Sequence, residues 1–273
     1  MNHELIERKF EEIGARVKFG HLGRFRSDDT RLPVRINIAK DNKGEIFTIN
    51  KSDMISSSDI DLKVIDINSD QRHLLLQLVD KKSKIKILCG HDERQWFVAG
   101  IPDKASVKNV FDAMESLKPS VVADNQNGKL SPKELKKPSK RRRNKVYIRQ
   151  GEWFFTPAKI TVDPKLIHKN EPLIARRGSK PHTCEELYRT GGTIVQVHRI
   201  HAPLGITLNE FEKLSNNSKN AIGWRQMIRD AIVYVRGSVR HADHATVYLP
   251  SWYRVQLNRE AESKASNAIA FLD

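Results

Sequence analysis

Lys84-Ile85-Lys86-Ile87-Leu88-Cys89, followed after five residues by Gln95-Trp96-Phe97-Val98-Ala99, decides the fold class of this chain. Ile85 and Ile87 alternate with Lys84 and Lys86, the period of two that turns one face of a strand to a core and the other to water. The second run is aromatic and branched, as strands favour. Gly90-His91-Asp92-Glu93-Arg94 between them has the length of a longer hairpin loop. Two antiparallel strands are the reading.

Working outward toward the N-terminus, the same period recurs. Val34, Ile36 and Ile38 alternate with Arg35 and Asn37, and residues 46–49, 64–67 and 74–79 are further strand-like runs. Asp41-Asn42-Lys43-Gly44 is a turn between the first two. Ahead of them the period is helical: Ile6, Phe10, Ile13 and Val17 form one apolar stripe before Gly20 and Gly23 break it. Beyond the hairpin, Ser106 is placed to cap a helix reaching Leu117, with Val107, Val110, Met114 and Leu117 on one face. Residues 1–117 therefore read as a small α+β domain, an antiparallel sheet of about five strands with flanking helices.

Residues 118–145 read as a flexible linker, poor in apolar side chains and containing Pro119, Gly128, Pro132 and Pro138. Between 133 and 149 the chain carries nine basic residues against Glu134 alone, which is +8 of the net +15. Lys136, Lys137, Lys140, Arg141, Arg142, Arg143, Lys145 and Arg149 lie in this run. Clustered cations repel one another without an anionic partner, and Lys/Arg runs bind phosphates by releasing condensed counterions. No Tyr or Phe is interleaved among the charges before Tyr147, which argues against base stacking by this segment.

Residues 146–273 read as a mostly-β domain, a barrel or double sheet with helical insertions. Strands are expected around Tyr147, at 152–156, 193–197, 232–239 and 245–249, with a separate one at 253–257 after Pro250. Thr207 is placed to cap a helix carrying Leu208, Phe211 and Leu214. Trp224 and Ile228, four apart, suggest another over 221–229, and 183–188 fits a helical turn or a short strand.

The two cysteines, Cys89 and Cys184, fall one in each domain, too few for a disulfide scaffold. The N-terminus lacks a signal-peptide pattern and no apolar run approaches the roughly 18 residues of a membrane span. A cytoplasmic protein without a membrane partner is the expectation. The excess charge points to DNA or RNA, with protein partners open to the N-terminal domain. Arg176, Arg177, Arg236 and Arg240 supply a second set of guanidinium groups able to grip phosphate bidentately.

Five histidines (His182, His198, His201, His241, His244) occupy the last third of the chain. In a turn, the imidazoles of His241-Ala-Asp-His244 flank the bend. With His182 and a carboxylate such as Glu185 or Glu186 they are candidates for a divalent-metal site. Without a His-x-His or His-Glu-x-x-His signature, a packing or phosphate-contacting role is the preferred reading, and no cofactor is expected unless that metal site forms. Cys89 near His91 reads as a packed thiol rather than a nucleophile. No catalytic residue is assigned.

The order Arg149-Gln150-Gly151-Glu152, His182, His241-x-x-His244, Leu249-Pro250, Tyr253-Arg254-Val255 resembles an uncharacterised group of bacterial proteins. That group opens with Arg-Gln-Gly-Asp and ends in Tyr-Arg-Val; the likeness covers roughly residues 149–260. The pattern is also weakly similar to cupin barrels, which implies a fold and candidate histidines but no activity. Pro181-His182-Thr183 stands where a cupin has His-x-His. The leading expectation is a nucleic-acid-binding accessory protein. A metal-dependent enzyme (nuclease or cupin-like) on His182, His241 and His244, and a two-domain protein-interaction module, are the alternatives.

Overall fold

Leu74, Leu75 and Leu76 are all fully buried, so strand β5 (His73–Asp80) must be covered on both faces. It lies inside a four-stranded antiparallel sheet, β4 (Ile60–Asn68), β5, β6 (Lys84–Asp92) and β7 (Gln95–Gly100), in that order. On one face Leu74, Leu76, Leu78, Ile85 and Ile87 meet helix α1 (His3–Glu12) and a second sheet. On the other, Leu75, Leu88 and Ala99 pack on Val110, Ala113 and Leu117 of helix α2 (Val110–Ser116) and its exit. The structure is a computed structural model, described for residues 2–22, 34–52, 60–80, 84–129, 142–175 and 179–263.

The second sheet orders β1 (Val17–Leu22), β3 (Gly44–Ser52) and β2 (Val34–Asp41). The α+β expectation holds, with seven described strands in two sheets rather than about five in one. One pair departs from the antiparallel expectation: β1 runs parallel to β3, with Val17 opposite Phe47. The apolar stripe of α1 stops at Ile13 because Gly14, at φ +72°, turns the chain; Val17 enters the same core from a strand.

The closing helix begins at Val110 instead of Ser106. Asn109 caps it, its Oδ1 accepting the Asp112 amide at 2.8 Å, while Asp66 accepts the Val110 amide at 2.8 Å. Within the expected linker, Ser120–Lys129 is helix α3, and Val122 is buried with Val146, Tyr147 and Phe154. Residues 130–141 lie outside the described residues.

The C-terminal half holds a six-stranded antiparallel sheet in the order β10 (His168–Leu173), β11 (His182–Thr190), β15 (Ile232–Arg240), β16 (Val247–Leu257), β9 (Trp153–Pro157), β8 (Ile148–Gln150). This sheet alone supplies the buried residues of its core, Phe155, Leu173, Cys184, Leu187, Val235, Val239 and Leu249 among them. It therefore curls until its own inward side chains meet, helped by bulges at Cys184/Glu186 and Val235/Gly237. β10 and β8 remain its two ends, so the barrel is not closed and the likeness to a cupin barrel does not hold at the level of closure.

One open choice is settled and two local expectations are corrected. Residues 182–190 are a strand, and β16 runs unbroken through Pro250, which falls at the Val235/Gly237 bulge where the ladder is already interrupted. Residues 225–229 are strand β14, not helix, because they pair with β12 (Thr193–His198) beside β13 (Ala202–Thr207) in a small fourth sheet. The helix after Thr207 is present as Leu208–Glu212, with Thr207 and Glu210 in a reciprocal capping box.

Candidate metal centre

His182 opens β11 on the inward side of the curled sheet, two residues before buried Cys184. His241 and His244 come from the 241–246 loop joining β15 to β16. Gln150, wholly buried, ties this loop down: its Nε2 donates to the carbonyls of Val239 (3.1 Å) and Ala245 (2.7 Å). Lys180 pairs with Asp243 inside the loop at 2.7 Å. The three imidazoles stack at one end of the sheet, with ring centroids 4.2 Å (His182–His241), 4.6 Å (His241–His244) and 5.7 Å (His182–His244) apart.

One nitrogen from each ring lies within 4.8 Å of one from both others. In a tetrahedral site with metal–nitrogen bonds of about 2.05 Å, ligand atoms are about 3.3 Å apart, so the ring nitrogens need to close by up to about 1.5 Å. Gly151 leaves the room. A Cβ built there would stand 2.8 Å from His244 Nε2 and 3.4 Å from His182 Nε2, so both nitrogens face the space over this glycine. Its φ of +57° suits a residue without a side chain.

The electrostatics suit neutral ligands. His182 is 1% exposed, and neither ring nitrogen finds a hydrogen-bond partner. Burial, reinforced by His241 and His244, holds its pKa down at about 3. Burial and then His241 also lower that of His244. His241 differs: its Nδ1 accepts the Asp243 amide at 3.1 Å, which places the ring proton on Nε2. Ligation by His241 requires its ring to turn and give up that bond.

The nearby carboxylate is not the expected one. Glu185 accepts the Ser238 amide at 2.8 Å, and Glu186 pairs with Arg236 at 2.6 Å. Instead, Glu93 from the β6–β7 turn reaches across from the N-terminal half. Its Oε2 accepts the Ala245 amide at 2.6 Å and lies 3.6 Å from His244 Nδ1. Glu93 and Asp92 were not among the sequence candidates. The turn is two residues long, since Asp92 pairs with Gln95, and this carries both carboxylates further out than a five-residue loop would.

Four of the candidate phosphate-binding arginines have partners within the fold. Arg142 and Arg149 pair with Asp92 at 2.7 and 2.8 Å, and Arg142 also pairs with Glu93. Arg236 lies over Trp252, 4.9 Å from the ring centroid, besides its pairing with Glu186. Arg240 donates to Asn170 at 2.9 Å. Arg143 and Lys145 are exposed, whereas Lys136, Lys137, Lys140, Arg141, Arg176 and Arg177 lie outside the described residues.

Of the remaining candidates, His198 is structural. Its Nδ1 accepts the Ile200 and His201 amides and its Nε2 lies 3.2 Å from the Ile222 carbonyl. Cys89 is wholly buried, and burial pushes its thiol well above the usual range, so it is packed as expected.

No helix among the described residues is long and apolar enough to cross a membrane. Comparison with protein-family models, curated proteins and solved structures finds no match to this chain, and the reading of the centre rests on its own geometry.

Proposed function

We propose that the chain is a metal-dependent enzyme built on His182, His241 and His244, with metal-assisted hydrolysis as its reaction class. The observation that carries this is the pair of Nε2 atoms, on His182 and His244, facing the space that Gly151 leaves clear. A buried imidazole with no partner is costly, about 1–3 kcal/mol for each unsatisfied group, and ligation removes that cost for the nitrogen involved. Three protein ligands leave a coordination position open, the arrangement of catalytic rather than structural zinc sites. A divalent cation held there supplies Lewis acidity toward a water or a substrate oxygen.

Metal analysis of untagged protein tests the reading. About one equivalent of a divalent transition metal is expected, lost in His182→Ala and His244→Ala. His241→Ala should weaken binding less, because His241 must first release the Asp243 amide. Protein without stoichiometric metal after purification in chelator-free buffer with added zinc overturns the proposal.

Nucleic-acid binding is the second reading, and its support is charge. A chain at +15, with half of that between residues 133 and 149, favours a polyanionic partner or substrate.

A further inference from the structure

Glu93 occupies an unusual backbone position for a non-glycine residue, at φ +54°. Left-handed backbone is unfavourable for residues with a Cβ. Its side chain is only 8% exposed, and burying a carboxylate is unfavourable unless partners compensate. Among the described residues its partners come from the other half of the chain: the Ala245 amide, the Arg142 guanidinium and, 3.6 Å away, His244 Nδ1. Burial of Arg142 with Asp92 and Glu93 explains how the charge is tolerated. It does not explain why the second oxygen is aimed at the loop carrying two of the three histidines.

The geometry around His244 supplies a reason. Its Nε2 faces the space over Gly151, so its opposite nitrogen, Nδ1, is the one beside Glu93. A carboxylate at Nδ1 favours the tautomer with the proton on that nitrogen and leaves the Nε2 lone pair for a cation. It also raises the basicity of the ligating nitrogen. At 3.6 Å the contact is longer than a hydrogen bond, and the carboxylate acts on the ring through its charge. The Ala245 amide holds Oε2 in place.

We propose that Glu93 is the positioning carboxylate of His244, so that the metal centre is shared between the two halves of the chain. Three histidines from the C-terminal sheet ligate, and a hairpin tip from the N-terminal sheet sets the tautomer of one. This rests on the metal reading above and adds to it a residue from a part of the chain that contributes no ligand.

The experiment compares zinc affinity, measured by competition with a chelating dye, in full-length wild type, Glu93→Gln and Arg142→Gln. Glu93→Gln keeps an oxygen for the Ala245 amide but removes the charge beside His244, and affinity should fall about 10–100-fold. Arg142→Gln breaks the same ion pair from its other end but leaves the Glu93 carboxyl group beside His244, and should leave affinity within about twofold. Imidazole 15N spectra of metal-free protein give an independent readout: the Nδ1–H tautomer of His244 in wild type, and loss of that preference in Glu93→Gln. Equal zinc affinity in Glu93→Gln and wild type overturns the inference, as does an equal loss in both variants, which would make Glu93 an anchor of the loop only. Wild type that takes up no zinc overturns the metal reading itself and this inference with it.

Discussion

Gly151 is the residue on which the candidate centre turns. Gly151→Ala places a methyl group in the space faced by two imidazole nitrogens, and zinc affinity should fall by at least about tenfold, since metal ligands tolerate little displacement. Gly44→Ala is the control, because Gly44 also has positive φ, +105°, with nothing within 4 Å of its Cβ position. Both variants carry backbone strain of about 1–2 kcal/mol, and only the first should lose metal. His182 adds a pH signature to the metal-free protein. Its folded-state pKa of about 3 lies below the ordinary 6.5, so between those values the unfolded chain binds the extra proton. The stability this histidine contributes is complete above pH 6.5 and is lost as pH falls toward 3. The full amount is on the order of 3–5 kcal/mol. Urea midpoints measured with chelator across that window should fall with pH in wild type and fall less steeply in His182→Gln.

At the scale of elements, the N-terminal half was legible where one face of a strand is buried. Val34, Ile36 and, at the start of the 84–99 hairpin, Ile85 and Ile87 show the period of two because buried side chains there alternate with less buried ones. The second half was harder, since one of its helix-like signals was a local coincidence. Trp224 and Ile228 sit four apart, yet Arg225–Arg229 is a strand, fixed by pairing with β12, and pairing with a distant segment leaves no trace in local spacing. The histidines were legible as ligand types in a turn, whereas Glu93 and Gly151 depend on which segments the fold brings together. Capping shows the same limit: Ser106 and Asn109 are both acceptable caps by residue type, and tertiary contacts choose Asn109. Asn109→Ala should therefore cost about 1 kcal/mol in denaturant unfolding, while Ser106→Ala, at an exposed position, should stay within about 0.5 kcal/mol. Equal effects would place the cap elsewhere.

Over the whole molecule, part of the basic charge is taken up by carboxylates of the fold. Arg142 is held in this way by Asp92 and Glu93. Arg142→Gln should destabilise the protein by about 1–3 kcal/mol and leave the salt dependence of nucleic-acid binding unchanged. Replacing Lys140, Arg141 and Arg143 by Gln should instead lower the slope of log affinity against log salt by about 0.7–0.9 for each phosphate that is no longer neutralised. Fluorescence anisotropy with one duplex and one single strand over a salt series makes the comparison. A slope unmoved by the triple substitution removes this run as the binding surface.

Cys89 lies in the core under the N-terminal sheets and Cys184 in that of the curled sheet, neither with any exposed surface. Burial raises the Cys184 thiol to about 12 and the Cys89 thiol further, so a thiol reagent reaches either sulfur only after its surroundings open. The chain thus carries one clock in each half. Alkylation rates read site by site under native conditions time the opening of the two cores separately. If Asp92 and Glu93 tie the halves into one cooperative unit, the two clocks run at the same rate and zinc slows both together. Two unequal rates, with zinc slowing Cys184 alone, would mean that the hairpin tip rests against its neighbour without binding the halves to a common fate.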